Sequence, residues 1–263
     1  MKKALNGSSY AVPVLLLLLM AFGFLFEPNS PTKTNILNKF QPASALYPFG
    51  TDDLGRCVFS RMLEGGRVTL GIVLLGAAIV LVLGIPLGML FARTRGGSGV
   101  IGGSILNAVT AIPPIAYLII LVGIWGNSIP TMVVALTASL ILRMVKLVMT
   151  LVETEYGKAY VKCAIACGAR RSRVMAVHIL PVILRDIIQF LCLSCSDMIL
   201  AISGFSFIGL TLGADVIDWG GMLSAARTLL SRRPALLVWP ILFIFVSSLC
   251  FNFLGRRLQR GKD

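Results

Sequence analysis

Long apolar runs separated by short polar segments set the pattern of this chain. A membrane-spanning helix needs about 20 apolar residues, and the first run, about Tyr10 to Phe26, lies behind Lys2 and Lys3 and is short but adequate. Two readings fit it: an uncleaved anchor, or the core of a cleavable signal peptide with Ala21-Phe22-Gly23 as a weak cleavage site. The anchor is the reading carried forward. Glu27 to Arg67, rich in Pro, Asn, Ser and charge, is then expected on the far side. Val68 to Ala92 supplies 25 residues without a charge, enough for one tilted span. Gly96 to Leu142 supplies 47, which is two spans, and Gly126-Asn127-Ser128-Ile129-Pro130 carries the turn chemistry between them. Arg143 and Lys146 fall near the inner end of the fourth span, where long basic stems reach the headgroups. A polar stretch follows from Glu153 to Arg173, then a fifth run from about Ile179 to Ala201 and a sixth from Pro234 to Gly255. Ser203 to Arg233, between the last two, is expected outside. The pattern predicts an all-α polytopic membrane protein with six transmembrane helices.

Composition removes the main alternatives. Of 263 residues, 57% are hydrophobic and 13% charged, where a soluble domain carries roughly 25% charged. A mean hydropathy of +0.89 excludes both an ordinary soluble enzyme and a disordered chain, because the apolar surplus has to face lipid. The net charge of +13 reads as a topology signal rather than a nucleic-acid footprint, since the basic residues cluster between the apolar runs. With the N terminus inside, thirteen Lys and Arg fall in the inner connecting segments, Lys2, Lys3, Arg93, Arg95 and Lys262 among them, against eight in the outer ones. That count favours cytoplasmic N and C termini. Of six cysteines only Cys57 falls in a segment placed on the outer side, so no disulfide is expected. Cys192 and Cys195 have CxxC spacing, but a single histidine and scattered thiols argue against zinc, and the cysteines read as small apolar residues inside helices.

Candidate chemistry is sparse. No GxxxxGK[ST] run is present, so this chain does not hydrolyse ATP by itself, and His178 has no obvious nucleophile beside it. Asp186 and Asp197 are the only acids inside the expected spans, too few for a proton relay. The informative segment runs from Tyr156 to Pro181. Cys163 to Ala169 holds six small residues in seven, flanked by Lys158, Lys162, Arg170, Arg171 and Arg173. On a helix, Ala164 and Gly168 would lie one turn apart and leave a notch where another protein's backbone could approach, with the basic rim orienting it. An ordinary surface loop fits the same residues.

Gly168 followed by His178-Ile179-Leu180-Pro181 resembles the EAA loop of ABC importer permeases, in the peptide and nickel subfamily whose version ends in HILP. The resemblance implies a short cytoplasmic coupling helix, with Ala164, Gly168, Arg170, His178, Leu180 and Pro181 in contact with a separate ATPase subunit. Three positions depart from the motif: Lys162 stands for its Glu, Cys163 for its first Ala, and Ile165 for the usual Arg. Five more stretches match the same subfamily in order. Phe49-Gly50-Thr51-Asp52-Asp53-Leu54-Gly55-Arg56 is similar to the FGTDELGR signature of its C-type permeases, continued by Ser60-Arg61 and Gly66 to Leu70. Arg143-Met144-Val145-Lys146 resembles RLVR, Ser206 to Leu210 resembles SFLGL, Trp219-Gly220 the WG after it, and Phe251 to Gly255 FNLLG. Cys57, Asn107 and Arg256 each stand where that subfamily has an Asp.

The implied fold is that of a type I ABC importer permease, with residues 1–66 forming the anchor helix and outer loop and 67–263 the permease core, its coupling loop at about 153–181. The implied partners are a second permease subunit, two ATPase subunits that use ATP and magnesium, and an extracytoplasmic substrate-binding protein, in the inner membrane of a bacterium. No cofactor is expected on this chain. Read on their own, Gly50, Thr51, Asp52, Leu54, Gly55 and Arg56 could equally form a turn with an Asp accepting backbone N–H groups. His178 reads as a histidine at a helix start rather than a ligand, and Trp219 as an interfacial anchor. The substrate is nickel, another metal chelate, or a di- or oligopeptide. Ile202, where peptide-type members often carry an acid, tilts the reading towards the metal. A stand-alone secondary carrier or channel is the competing class.

Overall fold

A computed structural model describes residues 8–93, 108–213 and 215–260. Lys2, Lys3, Arg95, Gly96, Asn107 and Lys262, used above, lie outside the described residues. Within them the chain is helical, its only β pairing an isolated bridge between Thr51 and Cys57. In chain order the helices are α1 (Ser8–Phe22, continued by a 3-10 turn Gly23–Phe26), α2 (Val58–Arg93), α3 (Pro114–Trp125), α4 (Ile129–Tyr156), α5 (Ala159–Ala166), α6 (Leu180–Phe207), α7 (Trp219–Ala226) and α8 (Ala235–Arg260). The helices through α2, α4, α6 and α8 are long and apolar enough to cross a membrane; Tyr10–Phe26 and Ile115–Trp125 are shorter apolar helices. Each of the six expected segments thus carries an apolar helix, four of them of spanning length, and Gly126, at φ 77°, makes the turn foreseen between the third and fourth.

Two boundaries differ from the apolar runs, for the same reason. The second helix begins at Val58, not Val68, and the fourth runs past Leu142 to Tyr156. An uninterrupted run measures only the part of a helix that meets lipid on every side. Beyond it, the helix continues as an amphipathic extension, where periodicity replaces continuity. Val58, Met62, Gly66, Leu70 and Val73 are buried along one stripe of α2 while Arg67 and Gly71 are exposed, and Met144, Val148, Val152 and Glu155 form a buried stripe of the same kind on α4.

Contacts divide the chain into two compact units, residues 1–74, 127–132 and 195–254 forming one and 75–126, 133–194 and 255–263 the other. In the first, Trp219 is the largest fully buried side chain. Its Nε1–H donates to the Met62 carbonyl at 2.9 Å, and its ring meets Phe243 edge-on. A Cβ at Gly65 would sit 2.8 Å from that ring, and one at Gly66 2.2 Å from the Met20 carbonyl oxygen. Trp219 is therefore a core residue, which overturns the interfacial anchor. Ser203 to Arg233 carries the end of α6 and the whole of α7, capped by Asp218, whose Oδ2 accepts from the Gly221 N–H at 3.1 Å. In the second unit, small residues let helices approach: a Cβ on Gly84 would meet Met144 at 2.5 Å and one on Gly88 would meet Val148 at 2.6 Å. The cysteines divide too. Cys57, Cys195 and Cys250 are buried as expected of small apolar residues, but Cys163 and Cys167 are exposed, because they lie on α5 and at its C-cap, not in a span.

Candidate functional site

The residues singled out from sequence fall into two loops, one in each unit. The first precedes α2 and is closed by its own polar groups. Asp52 is its centre: Oδ1 accepts from the Leu54 and Arg56 N–H groups at 2.9 Å each, and Oδ2 accepts from Arg56 Nε at 2.7 Å. Arg61 Nε lies 3.6 Å from the same oxygen, and Arg61 donates to the Pro31 carbonyl at 3.3 Å. Thr51, also buried, donates through Oγ1 to the Asn38 carbonyl and accepts from the Gln41 N–H at 2.7 Å. Gly50 and Gly55 have φ of 75° and 72°, and a Cβ at Gly55 would fall 1.8 Å from the Asn35 carbonyl oxygen. Both conformation and space therefore require glycine there. Phe49 stacks on Trp239 with ring centroids 3.8 Å apart. Leu54 is left exposed. The turn read from sequence, an Asp accepting backbone N–H groups, is present, extended by two arginines.

One group in this region is strained. Glu27 Oε1 is buried without a hydrogen-bond partner among the described residues. Burial, with the nearby Glu64 carboxylate adding to it and Arg67 opposing, raises the Glu27 carboxyl to about 7.

The second loop joins α4 to α6 and is built differently. Glu155, in the last turn of α4, accepts from Lys158 Nζ and from the Tyr160 hydroxyl, each at 2.6 Å. Together they fix the Tyr156-Gly157-Lys158 turn from which α5 departs. Burial, followed by the hydrogen bond to Glu155, pushes the Tyr160 phenol up to about 12. Neither Glu155 nor Tyr160 was apparent as a site residue, although an acid three positions before a basic residue across a glycine was the available signal. α5 packs against a π-helical turn, Val174–Ile179. Each buries one apolar side, Val161 on the helix and Val174, Met175 and Ile179 on the turn, while Ile165 and Val177 stay exposed. The π turn ends just before Pro181, which has no N–H to donate to the carbonyl four residues earlier, so the ladder is broken where it widens.

Gly168 does not lie on the helix beside Ala164. It follows the helix end at φ 84°, with the Gly168 N–H donating to the Ile165 carbonyl at 2.9 Å and the Ala169 N–H to the Ala164 carbonyl at 3.1 Å. These are the paired bonds of a Schellman cap, which favours glycine for its left-handed backbone. The notch is thus a cap with open space around it, since nothing lies within 4 Å of a Cβ placed there. Ala164 is half-buried, while Lys162, Cys163, Ala166, Cys167, Gly168 and Arg170 are exposed, with Tyr160 and Ile165 about 40% exposed. His178, on the π turn, and Leu180 are half-buried, and Pro181 is exposed. Ala164 thus lies on α5, Gly168 in its cap and Arg170 at the start of the next turn. His178, Leu180 and Pro181 belong to the next element.

Apolar helices, four of them long enough to cross a membrane, with an exposed helical insert between the fourth and fifth apolar segments, mark a membrane protein. The chain matches the family of binding-protein-dependent transport system inner membrane components over residues 84–263, and it belongs to that family. It is a multi-pass permease of a binding-protein-dependent ABC importer. It is 28% identical to the nickel transport system permease protein NikC of Escherichia coli strain K12 over 90% of this chain and 85% of that one. It is 29% identical to the oligopeptide transport system permease protein OppC of Bacillus subtilis strain 168, over 95% and 82%. Its fold resembles an inward-facing conformation of the MetNI methionine ABC transporter, with a TM-score of 0.60 at 18% identity, over 75% of this chain and 94% of that one.

Proposed function

We propose that this chain lines half of the pathway for nickel, carried as a chelate, beside a second permease subunit, and that α5 is the element through which two ATPase subunits drive it. The observation that carries the coupling role is α5 itself: an eight-residue helix whose exposed face is small and basic, held by Glu155 at one end and capped by Gly168 at the other. On this reading the α5 loop and both termini are cytoplasmic, and the loop before α2 faces the substrate-binding protein. ATP and magnesium act in the partner subunits, where nucleotide binding draws the ATPases together and moves α5 with them. The pathway then alternates between two states biased from opposite sides of the membrane.

Similarity to both nickel and oligopeptide permeases supports the substrate class without choosing within it. Ile202, fully buried on α6, supplies no carboxylate at the position where peptide-type members often carry an acid. Among the described residues no three of His, Cys, Asp and Glu come together, which suits a cargo delivered already wrapped. The deciding experiment compares uptake of labelled nickel, free and chelated, with that of a labelled dipeptide in cells with and without this chain. Chelated nickel is expected to depend on it. Dipeptide uptake that depends on the chain while nickel uptake does not would reverse the substrate, and flux through the purified chain without ATPases would overturn the reading as a whole.

A further inference from the structure

The surface around α5 is unusual in sign. From Gly157 to Arg173 the sequence has five cations and no carboxylate. Lys158 is already paired, with the Glu155 carboxylate at 2.6 Å. Lys162, Arg170, Arg171 and Arg173 are exposed, and no ion pair links them to an acid among the described residues. Between Lys162 and Arg170 the small residues Cys163, Ala166, Cys167 and Gly168 are open to solvent, with Ile165 the one large apolar side chain exposed among them. Cations flanking a face that backbone can approach closely form a template for a protein surface of opposite charge.

Lipid headgroups would also attract these cations, but a small-residue face that admits a close backbone approach has no use against a fluid headgroup layer.

We infer that the ATPase groove that receives α5 is acidic, its carboxylates meeting Lys162 and the Arg170–Arg173 cluster while its backbone closes on Cys163, Ala166 and Gly168. The inference rests on the coupling role proposed above and adds the chemistry of the partner. The test uses the full complex of both permeases and both ATPases, purified in detergent and passed over a sizing column. As sodium chloride rises from about 0.1 to 1 M, the Debye length shrinks from about 10 to 3 Å, and the ATPases are expected to dissociate from the wild-type complex. Lys162→Glu combined with Arg170→Glu is expected to release them already at low salt and to lower ATP-driven uptake at least about tenfold. Lys162→Gln is expected to fall between. All these positions are exposed, so yield and monodispersity of the chain should not change.

Reversing an acid of the ATPase groove to Lys in the background of Lys162→Glu should restore association. If the wild-type chain holds its ATPases and the double reversal holds them equally across the salt range, the acidic groove is wrong while docking stands. If the wild-type chain never holds them, docking itself fails. If the reversal changes only the preference for phosphatidylglycerol over phosphatidylcholine nanodiscs, the cations serve lipid and the inference is overturned.

Discussion

The loop before α2 and the loop around α5 use the same kinds of residue, glycines at positive φ, arginines and a carboxylate, to opposite ends. In the first, charge is turned inwards. Asp52 holds two backbone N–H groups and two arginines, and Gly55 is packed against another strand of chain. In the second, one carboxylate, Glu155, is consumed in setting the turn, and four cations remain pointed outwards beside a capped helix end. A polar group satisfied within the chain contributes to stability, whereas an exposed cluster of one sign remains available to a partner. Both loops carry family motifs, yet the geometry makes the first a clamp and the second a contact surface.

Substitutions in the two regions separate the two roles. The largest effect belongs to the first unit. Gly55→Ala would place a Cβ 1.8 Å from the Asn35 carbonyl oxygen, and Trp219→Ala would empty a fully buried site and remove the side-chain hydrogen bond to the Met62 carbonyl. Each is expected to cost about 3–5 kcal/mol, read as loss of folded protein in detergent or as a lowered unfolding midpoint. Normal yield and midpoint for both would remove the clamp. Asp52→Ala comes next, at about 3 kcal/mol, because it leaves two part-buried guanidinium groups without their shared acceptor. A double-mutant cycle with Arg56→Met should show strong coupling between the two positions, and simple additivity would mean that the ion pair does not hold the loop.

Gly168 gives a smaller and different signature. There the backbone conformation is demanding but the space is open, so Gly168→Ala should cost about 1 kcal/mol of local order. Gly168→Asn, which tolerates the left-handed region, should recover most of it. Gly55→Asn should recover nothing, since crowding remains whatever the backbone preference. Coupled uptake should follow the same order at position 168, with Gly168→Arg lowest although its folding is nearly intact. Equal loss with Ala and Arg would assign the glycine to the cap alone.

The smallest effect is a pH dependence at Glu27. Its carboxyl is raised in the folded chain to about 7 from an ordinary value of 4.5. The associated stability is therefore fully present below the lower value and is lost as pH rises through the upper one. The wild-type unfolding midpoint should climb modestly as pH falls from about 7 towards 5, and Glu27→Gln should flatten that slope. An unchanged slope would place the titration elsewhere.

The six apolar segments were legible because lipid demands continuity, and continuity is visible in a single sequence. The ends of α2 and α4 were not, because Arg61, Glu64, Lys146 and Glu153 interrupt the run without interrupting the helix. Asp52 as a backbone acceptor could be read from the Gly-Thr-Asp-Asp turn. Its pairing with Arg61, nine positions on, depended on α2 starting ten residues early. The position of Trp219 depended on Gly65 and Gly66, more than 150 residues away in sequence, and no local pattern encodes such a contact. Gly168 was found for its small size, but the structure assigns its requirement to the sign of φ. That distinction is invisible until the helix end is located.

The claim on which the account turns is that the α5 surface is cytoplasmic and covered by an ATPase. Cys163 and Cys167 are the only exposed cysteines among the described residues, so a membrane-impermeant maleimide reports on that surface directly. Inside-out vesicles bearing the complete transporter should be labelled slowly at these thiols and several-fold faster once the ATPases are stripped, and right-side-out vesicles should not be labelled there at all. Labelling from the outer face, or a rate that the ATPases do not change, would contradict the account.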